Sequence, residues 1–128
     1  EAFAECLMLK SVRFPEGSRL EVIGQRAFCG SSLRKLQCPG ALREISSGAF
    51  EQCASLETVE FNEGLRVLGP NCFSCTGLLA VAIPRSVVRI EGGAFAHCSG
   101  LEVVEFAPGS ALQVLLATAF AGTPAARG

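Results

Sequence analysis

Thirteen residues from Ala49 to Phe61, AFEQCASLETVEF, return almost unchanged from Ala94 to Phe106 as AFAHCSGLEVVEF. Shorter echoes begin at Ala2, Ala27, Cys72 and Ala119. A chain that repeats itself about every 23 residues is confined to architectures made by stacking one supersecondary unit. No single unit of that length can bury its own apolar side, so the core must form between neighbours.

The register is set by the Phe of each Ala-Phe pair: Phe3, Phe28, Phe50, Phe73, Phe95 and Phe120, with Cys72 standing where the others have Ala. We number the repeats one to six from these residues. Five or six residues after each Phe comes a leucine: Leu9, Leu33, Leu56, Leu78 or Leu101. Three further on stands Val12, Leu36, Val59, Val81 or Val104, and five further on Phe14, Cys38, Phe61, Ile83 or Phe106. A second apolar pair follows: Leu20/Ile23, Leu42/Ile45, Leu65/Leu68, Val87/Ile90 and Leu112/Leu115. All nine Phe residues fall on the Ala-Phe position or the strand end, so both positions are expected in the core. Apolar and polar residues alternate after each leucine, which is the period of a short half-buried strand, and Pro, Gly and Ser then stop it. Length variation is confined to two loops, one before the leucine and one around Pro15-Glu-Gly-Ser and Ala107-Pro-Gly-Ser.

The run AFEQCASLETVEF followed by NEGLRVLGPNCF resembles the BspA-like type of leucine-rich repeat. The Ala-Phe pair and the Cys three residues later carry the resemblance, which covers about 120 residues. It implies an α/β-type or mainly-β solenoid, a right-handed array of about five 22–25-residue repeats with a parallel sheet of short strands on the concave face. It also implies a protein-interaction role, as many members are surface proteins engaged in adhesion. The array is expected over residues 1–122, five full repeats and part of a sixth, as a piece of a longer array; residues 123–128, from Thr123 on, leave the pattern. Repeats two and four lack Cys three residues after Phe and carry Cys29 and Cys75 nearby. No capping sequence is visible, so open sheet edges predict end-to-end self-association of the chain by itself.

Formal charges of 11 basic and 12 acidic residues nearly cancel, which argues against a dedicated nucleic-acid protein with its concentrated basic face. The longest apolar run, Leu78 to Pro84, is far short of a membrane span. No signal peptide is visible before the first repeat. The compartment stays open; the resemblance suggests a cell-surface or secreted protein, and a cytoplasmic one remains compatible.

Seven cysteines invite a disulfide framework, yet Cys6, Cys29, Cys53, Cys75 and Cys98 occur once per repeat between Phe and Leu. Such a column has no unique pairing, and the total is odd, so small buried thiols are expected. Cys38 and Cys72 replace apolar anchors. Cys72-x-x-Cys75 with His97-Cys98 in the next repeat has metal-like spacing, but a lone CxxC whose first member points inward does not make a tetrahedral site. No metal or other cofactor is expected.

The polar strand positions should face outward. At leucine +4 they read Arg13, Gln37, Glu60, Ala82 and Glu105; at +1 they read Lys10, Arg34, Glu57, Leu79 and Glu102, with Lys35 beside them. The face passes from basic to acidic, interrupted in repeat four by a notch of Leu79, Ala80 and Ala82 flanked by Glu57, Glu60, Glu102 and Glu105. These residues, with Arg13, Lys35 and Gln37, are the candidate partner-binding set, suited to an apolar protein or peptide segment with basic ends. The column Glu21, Arg43, Arg66, Val88 and Gln113 reads as solvated. Catalysis finds no support: one His, no Asp, no Tyr, and no Gly-rich phosphate loop. Two functions remain, a binding module and a structural spacer within a larger protein.

Overall fold

The computed structural model describes residues 19–115 and 118–124; Phe3, Cys6, Leu9, Lys10, Val12, Phe14 and the candidate residue Arg13 of repeat one lie outside them. Nine short strands follow in chain order: β1 (Val22–Ile23), β2 (Lys35–Gln37), β3 (Glu44–Ile45), β4 (Thr58–Glu60), β5 (Val67–Leu68), β6 (Ala80–Ile83), β7 (Arg89–Ile90), β8 (Val103–Phe106) and β9 (Val114–Leu115). Every pairing among them is parallel. The result is a β-solenoid of about four turns, each repeat adding two strands.

The leucine strands form two ladders, β2 with β4 and β6 with β8. Between them β4 and β6 lie side by side, joined by a 3.4 Å bond from the Leu79 amide to the Glu57 carbonyl. The segment expected to be only a return path makes the more continuous sheet, β1-β3-β5-β7-β9. One buried residue in each of its first four strands (Ile23, Ile45, Leu68, Ile90) explains this: the second apolar pair also alternates in and out, over two residues. The partners Val22↔Glu44, Glu44↔Val67, Val67↔Arg89 and Arg89↔Val114 step by the same intervals as the Phe anchors, so length variation is absorbed in loops and leaves the register alone.

A third ladder runs through the Ala-Phe turns without strand geometry. The amides of Phe28, Phe50, Phe73 and Phe95 donate to the carbonyls of Ala49, Cys72, Ala94 and Ala119 in the next repeat, at 2.7–2.8 Å. Alternate amides close three-residue turns, as in Ala49 to Ser46 and Cys53 to Phe50. Two left-handed residues per turn allow this, two before the Phe (Arg26, Gly48, Asn71, Gly93) and two after it (Gly30, Gln52, Cys75, His97, Gly122). Small residues precede each Phe because the coils approach through this ladder; Ala49, Cys72, Ala94 and Ala119 have no exposed surface.

The turns thread the five Phe rings into one stack. Phe28, Phe50, Phe73, Phe95 and Phe120 lie 5.1–5.5 Å apart, centroid to centroid, with ring planes 5° from parallel. Each fully buried ring contributes about 2–3 kcal/mol by transfer alone. Leu33, Leu42, Leu56, Leu65, Leu78 and Leu101 complete the buried core.

Three core expectations need correction. Phe106, at the strand end, is 41% exposed, and Leu115 is exposed as well. Both lie on β8 and β9, the last strands of their sheets, which have a neighbour on one side only. Leu20 of the first second-pair is exposed too. Thr123, placed outside the repeat by the sequence, is buried and occupies the position three residues after Phe120.

Candidate functional site

The alternation of each leucine strand decides which side chains reach solvent. In β2, β4 and β6 the middle residues Leu36, Val59 and Val81 point into the core, and their neighbours point out. Lys35, Gln37, Glu57, Glu60, Leu79, Ala80, Ala82, Glu102 and Glu105 are all exposed. Pairing brings Gln37 opposite Glu60 and Ala82 opposite Glu105. The nine described candidates therefore share one face, with Lys35 and Gln37 toward one end and Glu102 and Glu105 toward the other.

Among the described residues the charged side chains of this face form no ion pair. Among the described residues the ion pairs are Arg43 with Glu21 and Arg89 with Glu91, both at the other sheet. Glu57, Glu60, Glu63, Glu102 and Glu105 make none. They surround exposed apolar surface: Leu79 is 54% exposed and Val103, the register partner of Ala80, 48%. Val103 went unnoticed in the sequence because it stands between Glu102 and Val104, which carries the repeat signature.

A hollow of about 550 Å³ opens where the strand face meets the following loops. Phe61 and Glu63 line it from repeat three, Ala82, Ile83 and Pro84 from repeat four, and Glu105, Phe106, Ala107 and Pro108 from repeat five. Its shape follows from loop length. Three residues separate Ile83 from Val87, whereas five separate Phe106 from Leu112, so the repeat-five loop stands beyond the short repeat-four loop. The Ala111 amide bonds the Arg85 carbonyl at 2.8 Å and holds the longer loop in place. On the other side, the Asn62 amide nitrogen donates to the carbonyls of Gly40 and Leu42, fixing the wall that carries Phe61 and Glu63. Of the candidate set, Ala82 and Glu105 belong to the hollow; Leu79 and Ala80 lie on the open strand face outside its lining. The loop-length difference was the available signal for the remaining lining residues.

The cysteines sort into different environments and do not form one column. Cys53 and Cys98 point inward three residues after Phe, and in repeats two, four and six that position holds Ser31, Thr76 and Thr123, all buried. The Cys53 and Cys98 thiols donate to the carbonyls of Phe28 and Phe73, each at 3.1 Å, and Thr123 Oγ1 donates to the Phe95 carbonyl at 2.7 Å. Ser31 and Thr76 lie against the two sulfurs at 3.3 and 3.1 Å. Burial raises both thiol pKa values, against a lowering by those hydroxyls. Burial also pushes Cys72 well up and Cys38 up to about 12. Cys75 sits in the left-handed turn, half-buried, and Cys29 is buried beside the turn. The six described cysteines are free. Among the described residues no group of three His, Cys, Asp or Glu comes together in a way that could hold a metal.

The BspA type leucine rich repeat region matches residues 1–126 in six copies. The chain belongs to this family. Its fold is similar to that of the pneumococcal vaccine antigen PcpA, with a TM-score of 0.70 at 17% identity, over 81% of this chain and 34% of that one. A leucine-rich repeat protein from Bacteroides ovatus aligns at a TM-score of 0.49 and 23% identity, over 76% of this chain and 35% of that one. The chain thus spans about a third of the length of either. No curated protein matches it. Membership in the family fits a protein-interaction repeat module. Among the described residues no helix is long and apolar enough to cross a membrane.

Proposed function

We propose that this segment is a non-enzymatic protein-recognition module that engages its partner through the exposed face of β2, β4, β6 and β8. One observation carries the reading: the carboxylates Glu57, Glu60, Glu102 and Glu105, in no ion pair among the described residues, ring the exposed apolar surface of Leu79, Ala80, Ala82 and Val103. An apolar centre with a polar rim is the anatomy of a recognition patch. The net negative rim favours partners that present basic residues around an apolar contact and speeds their encounter. Lys35 and Gln37 orient the partner at the opposite end. Adhesion or recognition at a cell surface is the setting the repeat family suggests.

The test compares two variants of equal charge change, Ala82→Arg on the proposed face and Val88→Arg at a half-buried position next to β7 of the other sheet, in binding to a protein partner of the full chain. The reading predicts that Ala82→Arg weakens binding about tenfold or more and that Val88→Arg does not. Equal sensitivity of both faces, or binding that depends only on the number of repeats, would support a structural spacer instead.

A further inference from the structure

The strand-end residues of the leucine strands are core in most repeats. Cys38 and Ile83 are buried and Phe61 is half-buried, its ring edge-on to Phe73 at 5.7 Å. Phe106 departs from this: it is exposed at the rim of the hollow, opposite Phe61 and beside Pro84 and Pro108. Two Phe side chains, an Ile and two Pro thus share one open concavity, with Glu63 on one wall and Glu105 on the other. Arg85, adjacent to Pro84 in the chain, forms no ion pair with either carboxylate.

We infer that this hollow is the anchor pocket of the recognition face, and that its occupant is an extended partner segment carrying one aromatic or large aliphatic side chain with a Lys or Arg on either side. The inference deepens the proposed function and rests on it. About 550 Å³ of open concavity is ample room for one large apolar side chain and the backbone on either side of it. Aromatic rings and prolines give the anchor a flat apolar surface and give an adjacent guanidinium or ammonium a π-face. Charge selects the flanks. Among the described residues no cation lines the hollow, so Glu63 and Glu105 are open to a ligand, and an acidic segment is repelled by both.

The spacing of the flanking charges follows from the stack. Glu60, Ala82 and Glu105 occupy the same position in three successive repeats, at about 4.8 Å per coil. An extended segment running along the stack advances about 3.3 Å per residue with side chains alternating, so cations two residues before and two after the anchor lie on its side of the segment, and their long side chains reach the carboxylates while the anchor drops beside Ala82.

The probe is the blocked heptapeptide acetyl-Gly-Lys-Ser-Phe-Ser-Lys-Gly-amide, titrated into the isotope-labelled 128-residue chain and followed by amide chemical shifts. Controls replace both Lys by Glu, or Phe by Ser. The expected result is saturable shifts at Ala82, Glu105, Phe106 and Ala107, affinity at least about tenfold above either control, and weakening as salt rises. Phe106→Ser should weaken binding by about tenfold and Glu105→Gln by about threefold. Both side chains are exposed, and thermal melts will show whether the variants remain folded; if Phe106→Ser does not, the peptide controls and Glu105→Gln carry the test. Shifts confined elsewhere, equal affinity for the Lys and Glu peptides, or no shift at about 5 mM peptide overturns the inference. A protein partner lost on Ala82→Arg but retained on Phe106→Ser and Glu105→Gln would leave the recognition face standing and remove the pocket.

Discussion

The thiol of Cys53 donates a hydrogen bond to the carbonyl of Phe28, one coil earlier, at 3.1 Å. Cys98 does the same for Phe73 and Thr123 for Phe95. In repeats three, five and six the residue three after Phe therefore serves as a small side-chain donor that ties successive Phe turns together, and sulfur or oxygen can fill the role; Ser31 and Thr76, at the same position, lie against the sulfurs of the next repeat.

Exchange within that role should be mild and loss of the donor costly. Cys98→Thr is expected to stay within about 1 kcal/mol of the parent in urea denaturation. Cys98→Ala strands the Phe73 carbonyl and removes the partner of Thr76, and should cost about 2–3 kcal/mol. Equal loss from both variants would show that packing, rather than hydrogen bonding, selects the residue.

Thiol titration gives a stability window. Cys38, Cys53, Cys72 and Cys98 all have pKa values raised by burial, with Cys38 at about 12 against an ordinary 9.0. The folded state thus holds protons that the unfolded chain releases, so their stabilising effect is complete below pH 9 and is lost as pH rises from there toward 12. Unfolding free energy measured across pH 8–11 should fall above about 9, and Cys38→Val should flatten the profile. Mapping of alkylated peptides at pH 8 should show Cys75 labelled ahead of the other five described cysteines.

Identical residue types should differ by position. Phe73 has no exposed surface and stacks on Phe50 and Phe95 at 5.1 and 5.5 Å. Phe73→Ala should cost about 3–5 kcal/mol, whereas Phe106→Ser should cost less than about 1 kcal/mol in the same assay.

Close coil approach makes a similar contrast between glycines. A Cβ at Gly77 would lie 2.5 Å from the Ala54 carbonyl oxygen, a backbone atom of the previous repeat, while one at Gly40 would meet nothing within 4 Å. Gly77→Ala is expected to lower the melting temperature by several degrees, from about 1–3 kcal/mol of forced displacement. Gly40→Ala should leave it unchanged or slightly raised.

The spacing of Phe and Leu anchors made the solenoid and its register legible, because each buried position recurs in every repeat. The continuous second sheet was harder to see: strands of two residues, such as Glu44–Ile45, show too little alternation to distinguish a strand from a turn. The donor column was hidden by chemistry, since Ser31, Thr76 and Thr123 look like loop residues until their burial beside Cys53 and Cys98 is known. The outward candidates were legible by period alone. The hollow was not, because it depends on how a loop of repeat five stands over a shorter one in repeat four, a relation between repeats rather than within one.

Site-specific photocross-linking tests the recognition face most directly. A benzophenone side chain placed at Leu79, on the exposed face, or at Val88, next to β7 of the opposite sheet, would be irradiated in complex with a bound protein partner. Efficient cross-links from position 79 and few from position 88 are the predicted result. Cross-links mainly from position 88, or equally from both, would contradict the assignment of binding to the leucine-strand face.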